Sequence, residues 1–204
     1  MGSKERRDRE RTELRELILD TARAMFAADG VEAVTMRALA KRIEYSPTAI
    51  YLHFKDKDAL LQELCAHDLK ALTGAVRSAG EGLTGFDRMR AMAVTYVRFA
   101  LEHREQYQVL FMMPSARPGT DGQPTGFQEA YEHLRDNFLR LIDSGQLRIA
   151  REDVDLAAQT YHCSLHGIVA NAITTGASTR LPGWQNPESK VRFLVETLIK
   201  GWQS

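Results

Sequence analysis

From Leu14 onward, apolar residues recur at spacings of three and four along nearly the whole chain, while alternating β-branched runs are nearly absent. That periodicity admits one fold class, an all-α protein. In the first helix Leu14, Leu17, Ile18, Thr21, Ala22, Met25 and Phe26 share a face, and Asp29 followed by Gly30 marks its end. Two much shorter periods come next. Met36, Leu39, Ala40 and Ile43 give a helix of about two turns behind Thr35 as N-cap, and Ser46 before Pro47 caps another that runs to about His53. Asp56 then opens a long helix reaching about Ser78. Further helices are expected over about 84–103, 107–112, 125–144, 152–175 and 187–202, the third of these starting with a capping box of Thr125 and Gln128. Loops are expected at 114–124 and 176–186.

Composition bounds the function. Of 204 residues, 27 are Lys or Arg and 27 are Asp or Glu, so the formal net charge is zero and contact with a polyanion requires a local patch. No apolar run reaches the roughly 18 residues of a membrane span, and the charged amino terminus lacks the apolar core of a signal peptide, so a cytoplasmic protein with no membrane partner is expected. The two cysteines, Cys65 and Cys163, read as small buried hydrophobes rather than a disulfide. No GxSxG, phosphate-binding loop, HExxH or metal-ligand cluster is present, which argues against an enzyme, a cofactor or a bound metal. Gly80, Gly82 and Gly85 match a dinucleotide-binding spacing, but a helix rather than a strand precedes them, so a plain loop is expected.

Residues 35–57 carry the patch that the net charge lacks. Five basic residues, Arg37, Lys41, Arg42, Lys55 and Lys57, stand against Glu44 and Asp56, leaving +3. Two short helices with a tight turn form a helix-turn-helix, which the first long helix buttresses. With Ile50 and Phe54 inward, Ser46, Thr48, Ala49 and Tyr51 face solvent, small enough to enter a major groove. Lys4, Arg6, Arg7, Arg9 and Arg11 add positive charge to an N-terminal arm diluted by Glu5, Asp8 and Glu10.

From Gly30 to Leu61 the chain resembles the DNA-binding domain of the tetracycline-repressor (TetR) family, with Tyr51, His53, Phe54 and Lys57 at the characteristic spacing. The resemblance implies a homodimeric transcription regulator with a three-helix helix-turn-helix domain followed by a larger helical ligand-binding and dimerisation domain. The expected divisions are a flexible arm over 1–9, the DNA-binding domain over 10–56 and the second domain over 57–204. DNA contacts implied are Thr35 and Arg37 on phosphates, Ser46, Pro47, Thr48, Ala49, Tyr51 and His53 on the recognition helix, and Lys57 on a phosphate at the start of the next helix.

Beyond about residue 80 the features are local. His162 to Val169 is similar to a Trp-x-x-x-His-Gly signature of one subgroup, with His162 in the tryptophan place. His162 and His166 have the four-residue spacing of a zinc pair but lack a third ligand, so packing or ligand contact is expected instead. Tyr96, Phe99, Phe111, Met112, Phe127, Tyr131, His166 and Asn171 are the candidate lining of a pocket for a small, largely apolar effector. Leu165 and Val169, with Val191, Leu194, Val195, Leu198 and Trp202 on the last helix, form the candidate dimer interface. The function expected is a repressor that leaves an inverted-repeat operator in double-stranded DNA when its effector binds. The competing expectation is a ligand-independent helix-turn-helix regulator controlled by a partner protein.

Overall fold

The computed structural model describes residues 3–113, 126–175 and 182–203, and these are helical with no strand. The helices are α1 (Ser3–Asp29), α2 (Met36–Arg42), α3 (Pro47–Tyr51), α4 (Lys57–Ala79), α5 (Gly85–Glu102), α6 (Arg104–Tyr107), α7 (Phe127–Asp143), α8 (Val154–Thr175) and α9 (Pro187–Gln203). A π-helical turn, Gln108–Met112, follows α6, and a 3-10 turn, Arg151–Asp153, leads into α8. The expected loop over 114–124, Thr125 and most of the linker over 176–186 lie outside the described residues. None of the described helices is long and apolar enough to cross a membrane.

The chain divides into two compact units: one of residues 1–68 with 105–124, the other of residues 69–104 with 125–204. The boundary therefore falls inside α4 and not at residues 56 and 57. In the first unit Ile18, Ala22, Phe26, Leu39, Ile50, Leu60 and Leu64 form a fully enclosed core. The first three turns of α4 stay with this unit because they bring Leu60 and Leu64 to that core, and Glu63 and Asp68 to arginines of α1.

In place of a flexible arm, α1 begins at Ser3. Lys, Arg and Glu are good helix formers, Arg6 pairs with Glu10 one turn on at 3.5 Å, and the Thr12 hydroxyl donates back to the Asp8 carbonyl. The same charges that suggested a solvated tail lace a solvated helix.

In the second unit α5 packs on α7, α8 and α9. Val97, Ala100, Phe138, Ala158, Val169, Val191 and Val195 are buried there, and Phe138 meets Tyr161 and Trp202 edge-on at 5.6 and 5.4 Å. Arg90 on α5 forks onto Glu196 of α9 at 2.5 and 3.0 Å. α7 starts after Gly126, at φ 137°, with no side-chain cap from that residue, and Gln128 donates to Glu132; Thr125, the other half of the expected capping box, lies outside the described residues. Cys65 is buried, which pushes its thiol up to about 12, but Cys163 is exposed on α8, contrary to the sequence reading, because it falls on the helix face turned from the core; both are free.

Candidate nucleic-acid interface

Two capped helices set the site. The Thr35 hydroxyl accepts from the Ala38 amide at 3.1 Å and the Ser46 hydroxyl from the Ala49 amide at 3.2 Å, so each satisfies an otherwise orphaned donor at a helix start. Both hydroxyls keep a lone pair and lie exposed, as does Arg37 in the first turn of α2. Glu44, in the turn between α2 and α3, adopts φ 61°, a left-handed conformation that a non-glycine residue takes at some cost.

Ile50 and Phe54 are buried and hold α3 down, leaving Ser46, Pro47, Thr48 and Tyr51 exposed and Ala49 half-buried. His53 is not on that face. It sits in the turn after α3, half-buried beside Phe54, with a buried Nδ1 that has no hydrogen-bond partner among the described atoms. Burial first, then the charges of Arg15 and Arg11, lower its pKa, so its imidazole stays neutral at pH 7. The backbone turns in at His53 because its amide bonds to the Ile50 carbonyl, tightening the last turn of α3.

Lys57 is also partly committed. Its ammonium donates to the Val31 carbonyl at 3.0 Å and lies 3.9 Å from Glu32. The Asp56 carboxylate caps the Ala59 amide at 2.8 Å, placing a negative charge at the start of α4. A phosphate there would meet the remaining donors of Lys57 next to an acid, a weaker site than the sequence suggests.

The sequence reading missed the residue that ties this head together. Arg15 on α1 donates through Nε to Glu63 at 2.8 Å, forks a second bond to the same carboxylate, and gives Nη1 to the His53 carbonyl at 3.1 Å, while its guanidinium covers the Phe54 ring at 4.5 Å. It thereby joins α1, the end of the recognition helix and α4. Eight residues further along α1, Arg23 makes a bidentate pair with the fully buried Asp68, both bonds at 2.8 Å, and a third bond to Asp20. Burial acts to lower the Arg23 pKa, but the bonds to Asp68 and Asp20 reverse this and hold it above its ordinary value. Separations of 45 and 48 residues left no signal of either pair in the sequence.

The other sequence candidates separate. Phe111 and Met112 belong to the first unit, whereas Tyr96, Phe99, Phe127, Tyr131 and His166 belong to the second. Asn171 is exposed on α8, so it does not line an interior. Tyr96 lies edge-on to His162 at 5.9 Å, and His162 stacks with His166 at 6.4 Å; burial and the neighbouring His166 lower the His162 pKa. Among the described residues no group of three or more His, Cys, Asp or Glu could hold a metal. Tyr131 points its hydroxyl to Asp155 at 2.6 Å. A cavity of about 470 Å³ lies between α5 and the start of α9, floored by Val94, Val97 and Leu101, with Arg98 and Arg192 both paired to Glu188 at its rim; none of the candidate lining residues borders it. Of the dimer candidates, Leu165, Val169, Val191 and Val195 are buried within the second unit and Trp202 packs on Phe138 and Tyr161, whereas Leu194 and Leu198 are half-buried. An apolar stripe looks the same in sequence whichever chain covers it.

Comparison with known proteins matches this architecture at both ends. Residues 18–64 fit the model of bacterial regulatory proteins of the tetR family, and residues 89–198 fit the tetracyclin repressor-like C-terminal domain. The HTH-type transcriptional regulator UidR of Escherichia coli is 31% identical over 87 residues, 43% of this chain and 44% of that protein, so the chain spans less than half the length of this relative. The HTH-type transcriptional repressor AcnR of Corynebacterium glutamicum is 27% identical over 178 residues, 82% of this chain and 86% of that one. A Rhodococcus sp. RHA1 protein of unknown function has a solved structure that superposes with a TM-score of 0.76 at 26% identity, covering 94% of this chain and 96% of that chain. With both family models in place over a helix-turn-helix and a larger helical unit, the chain belongs to the tetracycline-repressor family of DNA-binding transcriptional regulators, which are not enzymes.

Proposed function

We propose that the protein is a homodimeric, sequence-specific repressor that leaves an inverted-repeat operator when a small, largely apolar ligand binds its second unit, and that it works in the cytoplasm. The observation carrying the DNA-reading part is α3 itself: a capped helix held down by buried Ile50 and Phe54, exposing Thr48 and Tyr51 beside a segment of charge +3. In this reading Thr35 and Arg37 bind phosphates, Ser46, Pro47, Thr48, Ala49 and Tyr51 approach bases, His53 acts through its backbone carbonyl, and Lys57 adds weak phosphate attraction.

Self-association falls to faces that the protomer leaves open. On α8 Thr160, Cys163 and Gly167 form an exposed row of small residues, and on α9 Phe193 stands 76% exposed next to Thr197. Small residues allow close approach and Phe193 supplies apolar area, a combination suited to a second copy related by a twofold axis. For the effector, the aromatic groups Tyr96, Phe99, Phe127 and Tyr131 with His166 offer apolar surface and few polar tips, which suits an aromatic or acyl compound.

Selection of bound DNA from a random pool, followed by footprinting and sedimentation, tests the reading. The expected result is two symmetric half-sites about 34 Å or a multiple apart along the duplex, occupied by two chains and released by a member of a hydrophobic compound panel. A single asymmetric site held by one chain would overturn it, and release by no compound would leave control to a partner protein.

A further inference from the structure

Eight large apolar side chains stand exposed among the described residues, and three of them, Tyr45, Tyr51 and Leu52, fall in or beside the recognition helix. Leu52 is the most exposed of the three, at 75%. It caps the C-terminal end of α3 with right-handed helical angles, φ −70° and ψ −20°, and its amide bonds to the Thr48 carbonyl at 3.1 Å, so it continues the helical register. At 100° per residue, Thr48 and Leu52 each lie about 160° from the fully buried Ile50, on either side of the outward direction. The centre of the reading face thus carries one hydroxyl and, a turn later, one isobutyl group. No acid lies between Tyr45 and Leu52 to repel a phosphate backbone.

A leucine can neither donate nor accept a hydrogen bond. In the major groove the base edges of adenine, guanine and cytosine present donors or acceptors, and the only apolar group is the C5 methyl of thymine. Leucine pressed against a polar edge would strip water from it without replacing the bond, whereas against the methyl it buries apolar surface on both sides. We propose that Leu52 is a specificity-determining residue that reads the C5 methyl of one thymine in each half-site, with the Thr48 hydroxyl bonding to a polar base edge beside it. This rests on the DNA-reading function proposed above.

The test uses the full-length protein and an operator selected from random DNA. Each thymine is replaced in turn by deoxyuridine, which removes the C5 methyl and nothing else, and affinity is read by fluorescence anisotropy. One position per half-site should weaken binding about fourfold, the value of one buried methyl-sized group, and Leu52→Ala should abolish that difference while the other positions behave as before. Leu52→Gln should shift the preferred base at the same position to adenine, to which glutamine bonds in bidentate fashion. Leu52 is exposed, so both variants should melt as the parent does. A selective operator at which every deoxyuridine is tolerated, or a sensitive position that stays equally sensitive in Leu52→Ala, overturns the assignment to Leu52 and leaves DNA reading intact. Failure to select any sequence overturns both.

Discussion

At the scale of single residues, the reading head depends on separating side chains that hold α3 from those that face away from it. Tyr51 is half-exposed over a helix anchored by Ile50 and Phe54. Tyr51→Ala should therefore leave thermal unfolding unchanged and weaken operator binding by about tenfold, the scale of one lost base or phosphate contact; native affinity in an electrophoretic shift would remove Tyr51 from the face. Arg15 shows the opposite pattern. Its head is held by Glu63, the His53 carbonyl and Phe54 and does not belong to the outward face. Arg15→Lys keeps the charge but loses the fork, so operator affinity should fall several-fold, while stability drops by only about 1 kcal/mol because the pair is partly exposed. A Lys variant that binds the operator as the parent does would show that the fork does not position α3. Tyr51 was legible because its distance from Ile50 in sequence fixes its direction. Arg15 was not, because its partners become neighbours only after α1 and α4 pack.

Elements add their own determinants. The short helices α2 and α3 are too brief to persist alone, so their caps and their burial must act together. Thr35→Ala and Ser46→Ala should each cost about 1 kcal/mol, measured by urea unfolding, and a change below the error of that measurement would mean that packing alone defines the helix starts. Between α1 and the first half of α4 the buried Arg23 and Asp68 pair fixes register. Asp68→Asn leaves a buried guanidinium short of its counter-charge and should destabilise the protein by about 3–5 kcal/mol; a loss under 1 kcal/mol would show that Asp20 and water suffice. Start and stop signals placed most helices to within a few residues, since Thr35, Ser46, Pro47, Gly30 and Pro187 act locally. The start of α7 departs because Gly126 takes a positive φ, and the N-terminal extension of α1 departs because intrahelical pairs stabilise what composition reads as a tail.

For the whole molecule, three histidines held neutral define a pH response. His53, His133 and His162 all have lowered pKa values: burial is the largest cause in each, followed by Arg15 for His53, Arg77 for His133 and His166 for His162. In the unfolded chain these groups titrate near 6.5, so between that value and their lower folded pKa the unfolded state binds more protons. Stability should be complete above about pH 6.5 and should fall as the pH drops below it, before the carboxylates titrate. Urea midpoints at pH 7.5 and 5.5 check this, and His162→Gln should shrink the difference; equal midpoints would contradict the burial of these rings. Assembly is tested on the same scale. Phe193→Glu should yield monomers in sedimentation and weaken operator binding, because the two half-sites are no longer engaged together. A variant still dimeric at micromolar concentration would place the interface elsewhere.

Sequence alone determined the helical class, the helix-turn-helix over residues 35–57 and the outward direction of Thr48 and Tyr51, because these follow from periodicity, capping and a fixed rotation per residue. Tertiary structure decided whatever depends on which surface meets which. It enclosed Leu165, Val169, Val191 and Val195 within the protomer and left Phe193 outside, turned Asn171 to solvent, drew His53 behind the recognition helix and engaged Lys57 with the Val31 carbonyl. Burial and ion pairing are properties of pairs of segments brought together by folding. Periodicity shows that a face must be covered, but the covering partner is set only when distant helices pack.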